Sequence, residues 1–268
     1  MKNFKSEKEF LESYDPSAYE RLSLGADMVI FSISNEDSKN YRKLNKKYFS
    51  VLLVKRLDFP YKGMWNLPGG FVNIDENIDD AADRILKKSS GLSNIYKEQL
   101  YTFGDVKRDP RMRIVTVAHI SLINKDEIKQ DLNENAFWFN IDYEEKGDTF
   151  VCHLSSSVEN IEFVAKKVGD TYQIVKNDKI AFDHALIILT GILRLRNKIE
   201  YTDVVFNLLP EYFTLTELQT IYELILGKKL LAPAFRRSIK DKVEKTSKIQ
   251  GGAGHRPSVL FRYKNKKE

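Results

Sequence analysis

An α+β protein in two parts is what this sequence predicts: a strand-rich body over residues 1–199 and a small basic helical end over 200–268. Three observations carry the prediction. Apolar runs bounded by turn residues recur between Ala26 and Val175, with one moderately amphipathic stretch, Asp79 to Ser90, set among them. After Ala181 the apolar residues change to helical spacing. The charge divides along the same line. From Lys228 to Glu268 thirteen Lys/Arg face three acidic residues, net +10, while the remainder carries 30 basic and 35 acidic residues, net −5. An acidic body with a basic end is the arrangement of a regulator with a nucleic-acid module. A solvated basic tail is the plainer alternative.

At 268 residues, 42% hydrophobic and 30% charged, the chain is long enough for one large domain or two ordinary ones. The opening MKNFKSEKEF has no apolar run, so no secretory signal is expected. The longest greasy stretch, Ala185 to Leu195, is interrupted by Thr190, Gly191 and Arg194 and is too short to span a bilayer, so no membrane partner is expected. A lone Cys152 excludes an intramolecular disulfide and a cysteine-cluster zinc site. The cytoplasm is the expected compartment, and the sequence asks for no cofactor and no metal.

Taken in order, Ser6 to Tyr14 predicts a short helix with Phe10 and Leu11 as its apolar contacts, stopped by Asp15-Pro16. Ala26–Ile33 and Tyr48–Lys55 predict buried strands around a polar loop, Asn35 to Lys47. Trp65 and Pro68 read as packing and turn residues, and Gly69-Gly70 allow a tight entry into the next helix. That helix, Asp79 to Ser90, carries acidic residues in its first turn, suited to the positive end of its dipole. Ala82, Ile85, Leu86 and Ser89 form its inner face, and Gly91 terminates it. Ile114–Ile123 and Ala136–Ile141 are further strands. Asp148 to Val175 holds two or three more, broken at Glu159-Asn160 and Gly169-Asp170. Ala181 to Ile199 is a connecting helix, with His184 in a structural role at its first turn, since no nucleophile or metal partner accompanies it.

The stretch Gly69–Leu92 resembles the Nudix box, G-x5-E-x7-R-E-U-x-E-E-x-G-U, with U a bulky apolar residue. Gly70, Glu76, Arg84, Leu86, Gly91 and Leu92 fall on the pattern, and FPYKGMWNLPGGF resembles the usual approach to it. The resemblance implies an α/β/α sandwich. In that family three glutamates follow the arginine, lie on one helix face and hold the magnesium that activates water. Here Ile85, Lys88 and Ser89 stand in their places. Two unit charges about 4 Å apart interact by roughly 4 kcal/mol at an effective dielectric of 20, and a divalent ion doubles this. Lys88 would therefore repel a metal that three lost ligands no longer attract, and no catalytic residue is expected.

Arg108-Asp-Pro-Arg111 is similar to a segment of Nudix proteins that resemble ADP-ribose pyrophosphatases. Arginines at a cleft bind phosphate oxygens through forked hydrogen bonds, so Arg56, Arg108, Asp109 and Arg111 are the candidate ligand-binding residues. The alternative is a surface turn in which Asp109 pairs an arginine locally.

At the basic end, Val204 to Leu209 predicts a small helix. Thr214/Glu217 and Thr216/Gln219 make two overlapping capping boxes. They open a helix whose Leu218, Ile221, Tyr222 and Ile225 recur at i, i+3, i+4 and i+7 before Gly227 ends it. Ala234 to Val243 predicts the next helix, with Phe235, Ile239 and Val243 buried and Arg236, Arg237, Lys240 and Lys242 around the rest. Gly251, Gly252 and Gly254 bracket a loop, and Val259 to Tyr263 is a final strand. Helix, helix, basic helix and basic hairpin is the layout of a winged helix-turn-helix, whose second helix enters the major groove. Lys248 and Arg256 join the candidate DNA contacts.

With both halves read, the chain resembles the Nudix-related transcriptional regulators, a degenerate Nudix domain joined to a C-terminal winged helix. The resemblance implies a homodimer that binds duplex DNA at a palindromic operator. It also implies an effector, ADP-ribose in many members and a sugar in others. A hydrolase using Glu76 and an acid from another loop, and a basic adaptor for RNA or protein, are the competing readings.

Overall fold

The computed structural model describes residues 6–36, 46–91, 95–125, 128, 132–250 and 257–264. Helix α1 (Glu7–Ser13) is capped by Ser6, whose hydroxyl accepts from the Glu9 amide at 3.2 Å. None of its residues is buried. Phe10 and Leu11, expected to be its apolar contacts, are 40% and 62% exposed, because two turns of helix present no continuous apolar stripe; the Phe10 ring lies 5.6 Å from that of Tyr14.

Strands β1 (Ser23–Glu36) and β2 (Lys46–Lys55) form an antiparallel pair. Both outrun the expected apolar segments, so the ends of the expected Asn35–Lys47 loop belong to strands, and its residues 37–45 lie outside the described residues. Two short strands, β3 (Trp65–Asn66) and β4 (Gly69–Phe71), precede helix α2 (Ile78–Ser90). Then come β5 (Lys97–Phe103), β6 (Ile114–Asn124), β7 (Ala136–Lys146), β8 (Thr149–Ser155), β9 (Asn160–Val168), β10 (Thr171–Asn177) and helix α3 (His184–Lys198).

The strands make one mixed sheet in the order β10-β9-β8-β7-β2-β1-β6-β5, with β3 beside β2 and β4 beside β1. β1 and β6 run parallel, which sets Gly25 opposite Thr116. Alternation along β1 sends Met28 and Ile30 to one face and Val29, Phe31 and Ile33 to the other. Against the first pack Ala81, Ala82, Ile85 and Leu86 of α2; against the second lie Ile188, Ile192 and Leu195 of α3. This is the expected α/β/α sandwich. Gly191 lets α3 approach the sheet, since an added Cβ would stand 3.1 Å from Val29 and 3.3 Å from Phe31.

The C-terminal end comprises a 3-10 helix (Val204–Leu208), α4 (Leu215–Leu226), α5 (Ala232–Ile239) and the hairpin β11 (Val243–Gln250) with β12 (Ser258–Tyr263), a winged helix-turn-helix. Thr214 and Glu217 form the expected capping box. The second box does not form, because Thr216 already lies inside α4; Gln219 instead donates to Glu223 at 2.9 Å and to the Leu230 carbonyl at 3.0 Å. Leu218, Ile221, Tyr222 and Ile225 are buried, and Gly227 ends the helix at φ +66°. The helix expected over Ala234–Val243 is shorter. α5 stops at Ile239, the Lys242 amide closes a turn onto the Ile239 carbonyl, and Val243 opens β11. Phe235, Ile239 and Val243 are all buried even so, because the turn returns Val243 to the side a helix would have given it.

The winged helix shares its core with the body: one apolar cluster runs from Val29 and Phe31 through α3 to Leu218, Ile221, Phe235, Ile239 and Val243. Tyr143 on β7 donates to the Ile225 carbonyl at 2.6 Å, and Gly227 leaves room for its ring, where a Cβ would stand 3.1 Å away. No helix among the described residues is long and apolar enough to cross a membrane.

Candidate functional site

The box helix is built for packing. Its N-terminal loop is clamped by Arg84, whose Nε and Nη2 donate to the two Glu76 oxygens at 2.7 Å each, while Nη2 also reaches the Phe71 carbonyl at 2.9 Å. The same bonds pull the Glu76 carboxyl down to about 2. Gly70 pairs with Ala26 across β4 and β1, and Gly91 caps α2 at φ +73°. Ile85 is 3% exposed among Ala81, Ala82 and Leu86, Ser89 donates its hydroxyl to the Ile85 carbonyl at 2.7 Å, and Lys88 is exposed. Among the described residues no group of three or more His, Cys, Asp or Glu could hold a metal. Leu92 lies outside the described residues.

A cleft of about 200 Å³ opens between β1, β4, β6, the loop after β5 and the start of α3. All four candidate ligand residues, Arg56, Arg108, Asp109 and Arg111, line it. Their charges are largely spoken for. Arg108 is buried and gives Nε and Nη2 to the two Asp183 oxygens at 2.8 Å each, with Asp27 at 3.5 Å from Nη2. Arg111 wraps Asp109 with its amide, Nε and Nη2 at 3.0, 3.0 and 2.8 Å, and these bonds hold the buried Asp109 carboxyl below its usual range. The local turn pair is therefore present, but it faces the cleft. Arg56 pairs with no carboxylate among the described residues. Its Nε donates to the Pro60 carbonyl at 2.7 Å and its guanidinium lies 4.8 Å over the Phe182 ring. Burial and the neighbouring Arg111 charge push its pKa down.

Among the lining residues that sequence reasoning missed are Asp27, Asn66, Phe71, Thr116 and Phe182, together with Asp183 behind Arg108. Phe182 sits at φ +55°, unusual for a bulky side chain, with Tyr61 edge-on at 4.8 Å and Arg111 5.8 Å from its centroid. The Phe182-Asp183-His184 triplet was the one local signal available. His184 is fully enclosed. Its Nδ1 accepts from the Leu67 amide at 2.9 Å, so the proton of the neutral ring is on Nε2, 3.8 Å from Asp27, and burial lowers its pKa.

The second candidate surface is the basic end. Arg236, Arg237 and Lys240 are exposed on α5 and in the turn after it, and none pairs with an acidic residue among the described residues. Lys248 is exposed on β11 with its ammonium 3.4 Å from the Tyr212 ring centroid. Lys242 departs from expectation. It belongs to the turn and not to a helix, and its ammonium is 2.7 Å from Asp203, so it ties α5 to the segment after α3. Arg256 and Gly251–Gly254 lie outside the described residues.

Comparison with known proteins agrees with both halves. A model of the NUDIX domain matches residues 30–149, and a model of the NrtR DNA-binding winged helix domain matches residues 205–263. The chain is 36% identical over 267 residues to the ADPR responsive transcriptional repressor NtrR of Acinetobacter baylyi, a match covering 97% of this chain and 90% of that protein. A MutT/nudix family protein from Enterococcus faecalis superposes with TM-score 0.71 at 28% identity, over 97% of this chain and 94% of its own. Shewanella oneidensis NrtR, in its complex with a 27mer DNA, does so with TM-score 0.64 at 28% identity, over 90% and 93%. The chain belongs to the NrtR family, in which a Nudix domain is joined to a DNA-binding winged helix.

Proposed function

We propose that this protein is a DNA-binding transcriptional repressor whose Nudix domain has exchanged hydrolysis for sensing. The observation that carries the reading is a contrast within one chain. The helix face that would hold a catalytic metal is given over to Ile85, Lys88 and Ser89, while Arg236, Arg237 and Lys240 on the winged helix pair with no acidic residue among the described residues. Residues 1–199 form the effector-sensing part and 200–268 the DNA-binding part, a division supported by the two family matches. The effector occupies the cleft lined by Arg56, Arg108, Asp109 and Arg111 and is ADP-ribose or a sugar-type ligand; the Acinetobacter baylyi relative, named for its response to ADPR, supports the first. The protein works in the cytoplasm as a homodimer. Two α5 helices address half-sites about one DNA turn or a multiple of it apart, so the operator is an imperfect palindrome.

Fluorescence anisotropy tests this directly. The full chain is titrated against duplex from its own upstream region and against scrambled duplex, with and without ADP-ribose. Preference for the upstream duplex and its loss on adding the effector are expected; equal binding of both duplexes would sink the reading. Magnesium-dependent cleavage of ADP-ribose at about 1 per second or faster would restore the hydrolase.

A further inference from the structure

The floor of the cleft carries polar groups that the described residues leave unpartnered or only loosely held. Thr116 projects from β6 beside Gly25 of β1; it is 1% exposed, and its hydroxyl has no hydrogen-bond partner among the described residues. An unsatisfied buried hydroxyl is costly, and such a group in a native protein asks for a partner that comes from outside the chain. Next to it stands Asp27. Its side chain is 11% exposed, and its contacts to Arg108 and His184 are long, 3.5 and 3.8 Å. The third group is the Nε2–H of His184. Two glycines keep the floor open: a Cβ on Gly25 would stand 3.2 Å from the Thr116 hydroxyl, and one on Gly69 would fall 2.1 Å from an Asp27 oxygen.

Charge decides what such a floor accepts. Arg108 and Arg111 are committed to Asp183 and Asp109, which leaves Arg56, stacked on Phe182, as the lining guanidinium with no carboxylate at ion-pair distance among the described residues. A phosphate driven to the floor would meet the Asp27 carboxylate, and like charges at contact distance repel strongly where water is excluded. A carboxylate only accepts and an imidazole N–H only donates, while the Thr116 hydroxyl does both. Alcohol groups, which also do both, satisfy all three at once without bringing charge.

Building on the reading that a metabolite occupies this cleft, we propose that Asp27, Thr116 and His184 form a hydroxyl-reading floor: the effector enters sugar ring first, and any phosphate it carries stays outward at Arg56 and Arg111. Specificity is then set by the hydroxyl pattern of the ring and not by the pyrophosphate.

The test is calorimetry on the full chain with ADP-ribose, a panel of free aldopentoses and inorganic pyrophosphate, for wild type, Thr116→Val and Thr116→Ser. At least one sugar-bearing compound should bind, with pyrophosphate at least about tenfold weaker. Thr116→Val keeps the shape and deletes the hydroxyl, so it should weaken the sugar-bearing ligand about tenfold, and Thr116→Ser should restore it. The same Val variant should unfold no earlier than wild type, because the lost hydroxyl has no partner among the described residues; that separates lost recognition from a damaged fold. Pyrophosphate binding as tightly as ADP-ribose, indifference to Thr116→Val, or no binding by any sugar-bearing compound overturns the proposal. Duplex binding is measured on the same samples. Its absence beside intact sugar binding would overturn the repressor reading and leave the floor standing.

Discussion

Arg108 reaches across the mouth of α3 to Asp183 with two parallel hydrogen bonds of 2.8 Å, although 75 residues separate them in sequence. Arg108 lines the cleft with Asp183 behind it, and the Arg108 side chain is only 5% exposed. Burial alone would lower the Arg108 pKa; Asp183, then Asp27 and Asp109, more than offset this and leave it raised. Asp183→Asn should leave a buried guanidinium under-compensated and cost about 3–5 kcal/mol in urea unfolding, the range for breaking one side of a buried pair. A loss below about 0.5 kcal/mol would mean that Asp27 carries Arg108 unaided.

Arg237→Ala should relax sequence preference. An arginine on the exposed face of α5 is placed to read a base edge, worth roughly 1–3 kcal/mol of discrimination. If a dimer neutralises about 8 phosphates, log affinity falls with log salt at a slope near −7. Lys240→Ala and Lys248→Ala should each make that slope shallower. Lys242→Ala should not, since its ammonium is already held by Asp203; it should lower stability by up to about 1 kcal/mol, as expected for a part-exposed pair. Anisotropy across a salt series on the cognate duplex distinguishes the three lysines.

Returning glutamates to the box should not return a metal site cheaply. Ile85→Glu puts a carboxylate among Ala81, Ala82 and Leu86 and should cost about 2–5 kcal/mol, whereas Lys88→Glu and Ser89→Glu should each stay within about 1 kcal/mol. The triple variant, assayed with magnesium and ADP-ribose after its fold is checked, should still lack turnover. Recovery of turnover in a folded triple variant would show that the helix face had kept its catalytic geometry.

Two buried histidines make the fold sensitive to mild acid. Burial is the leading cause that lowers the pKa of both His184 and His119 below the ordinary 6.5. The unfolded chain then binds protons that the folded chain refuses. Their stabilisation is complete above about pH 6.5 and drains away as pH falls towards the folded values, at up to about 2.7 kcal/mol per pH unit for two sites. Urea midpoints at pH 7.5 and 5.5 measure the loss, and His119→Gln should remove part of it. A flat profile over that interval would show that the rings are protonated in place.

Much of the fold was legible because it is written locally. The Thr214/Glu217 capping box, the glycine at 91 and the helical run from Leu218 to Ile225 each depend on neighbours within one or two turns. The end of α5 was not, because a spacing of four is satisfied both by a helix and by a turn that hands Val243 to a strand. The arginines of the cleft were visible as residues but not as a charge balance. Their partners Asp183 and Asp27 come from segments far along the chain, and Thr116 reaches the floor only through the parallel register of β1 with β6. Residue type announces a donor; only the fold says whether it is already occupied.

The apolar core that runs unbroken from the sheet to the winged helix also bears on how such a protein can change over generations. A DNA-reading head joined by a loose tether can be exchanged for another like a tool on a handle. Here Leu218, Ile221, Phe235, Ile239 and Val243 are wedged into the same interior as Val29 and Phe31, and Tyr143 of the sheet holds the Ile225 carbonyl. A graft that replaced the head alone would leave that interior with a mismatched lid. New operators are therefore more readily reached by altering side chains on the outward face of α5 than by shuffling whole modules, and the metabolite-sensing body and its reader are inherited as a single piece.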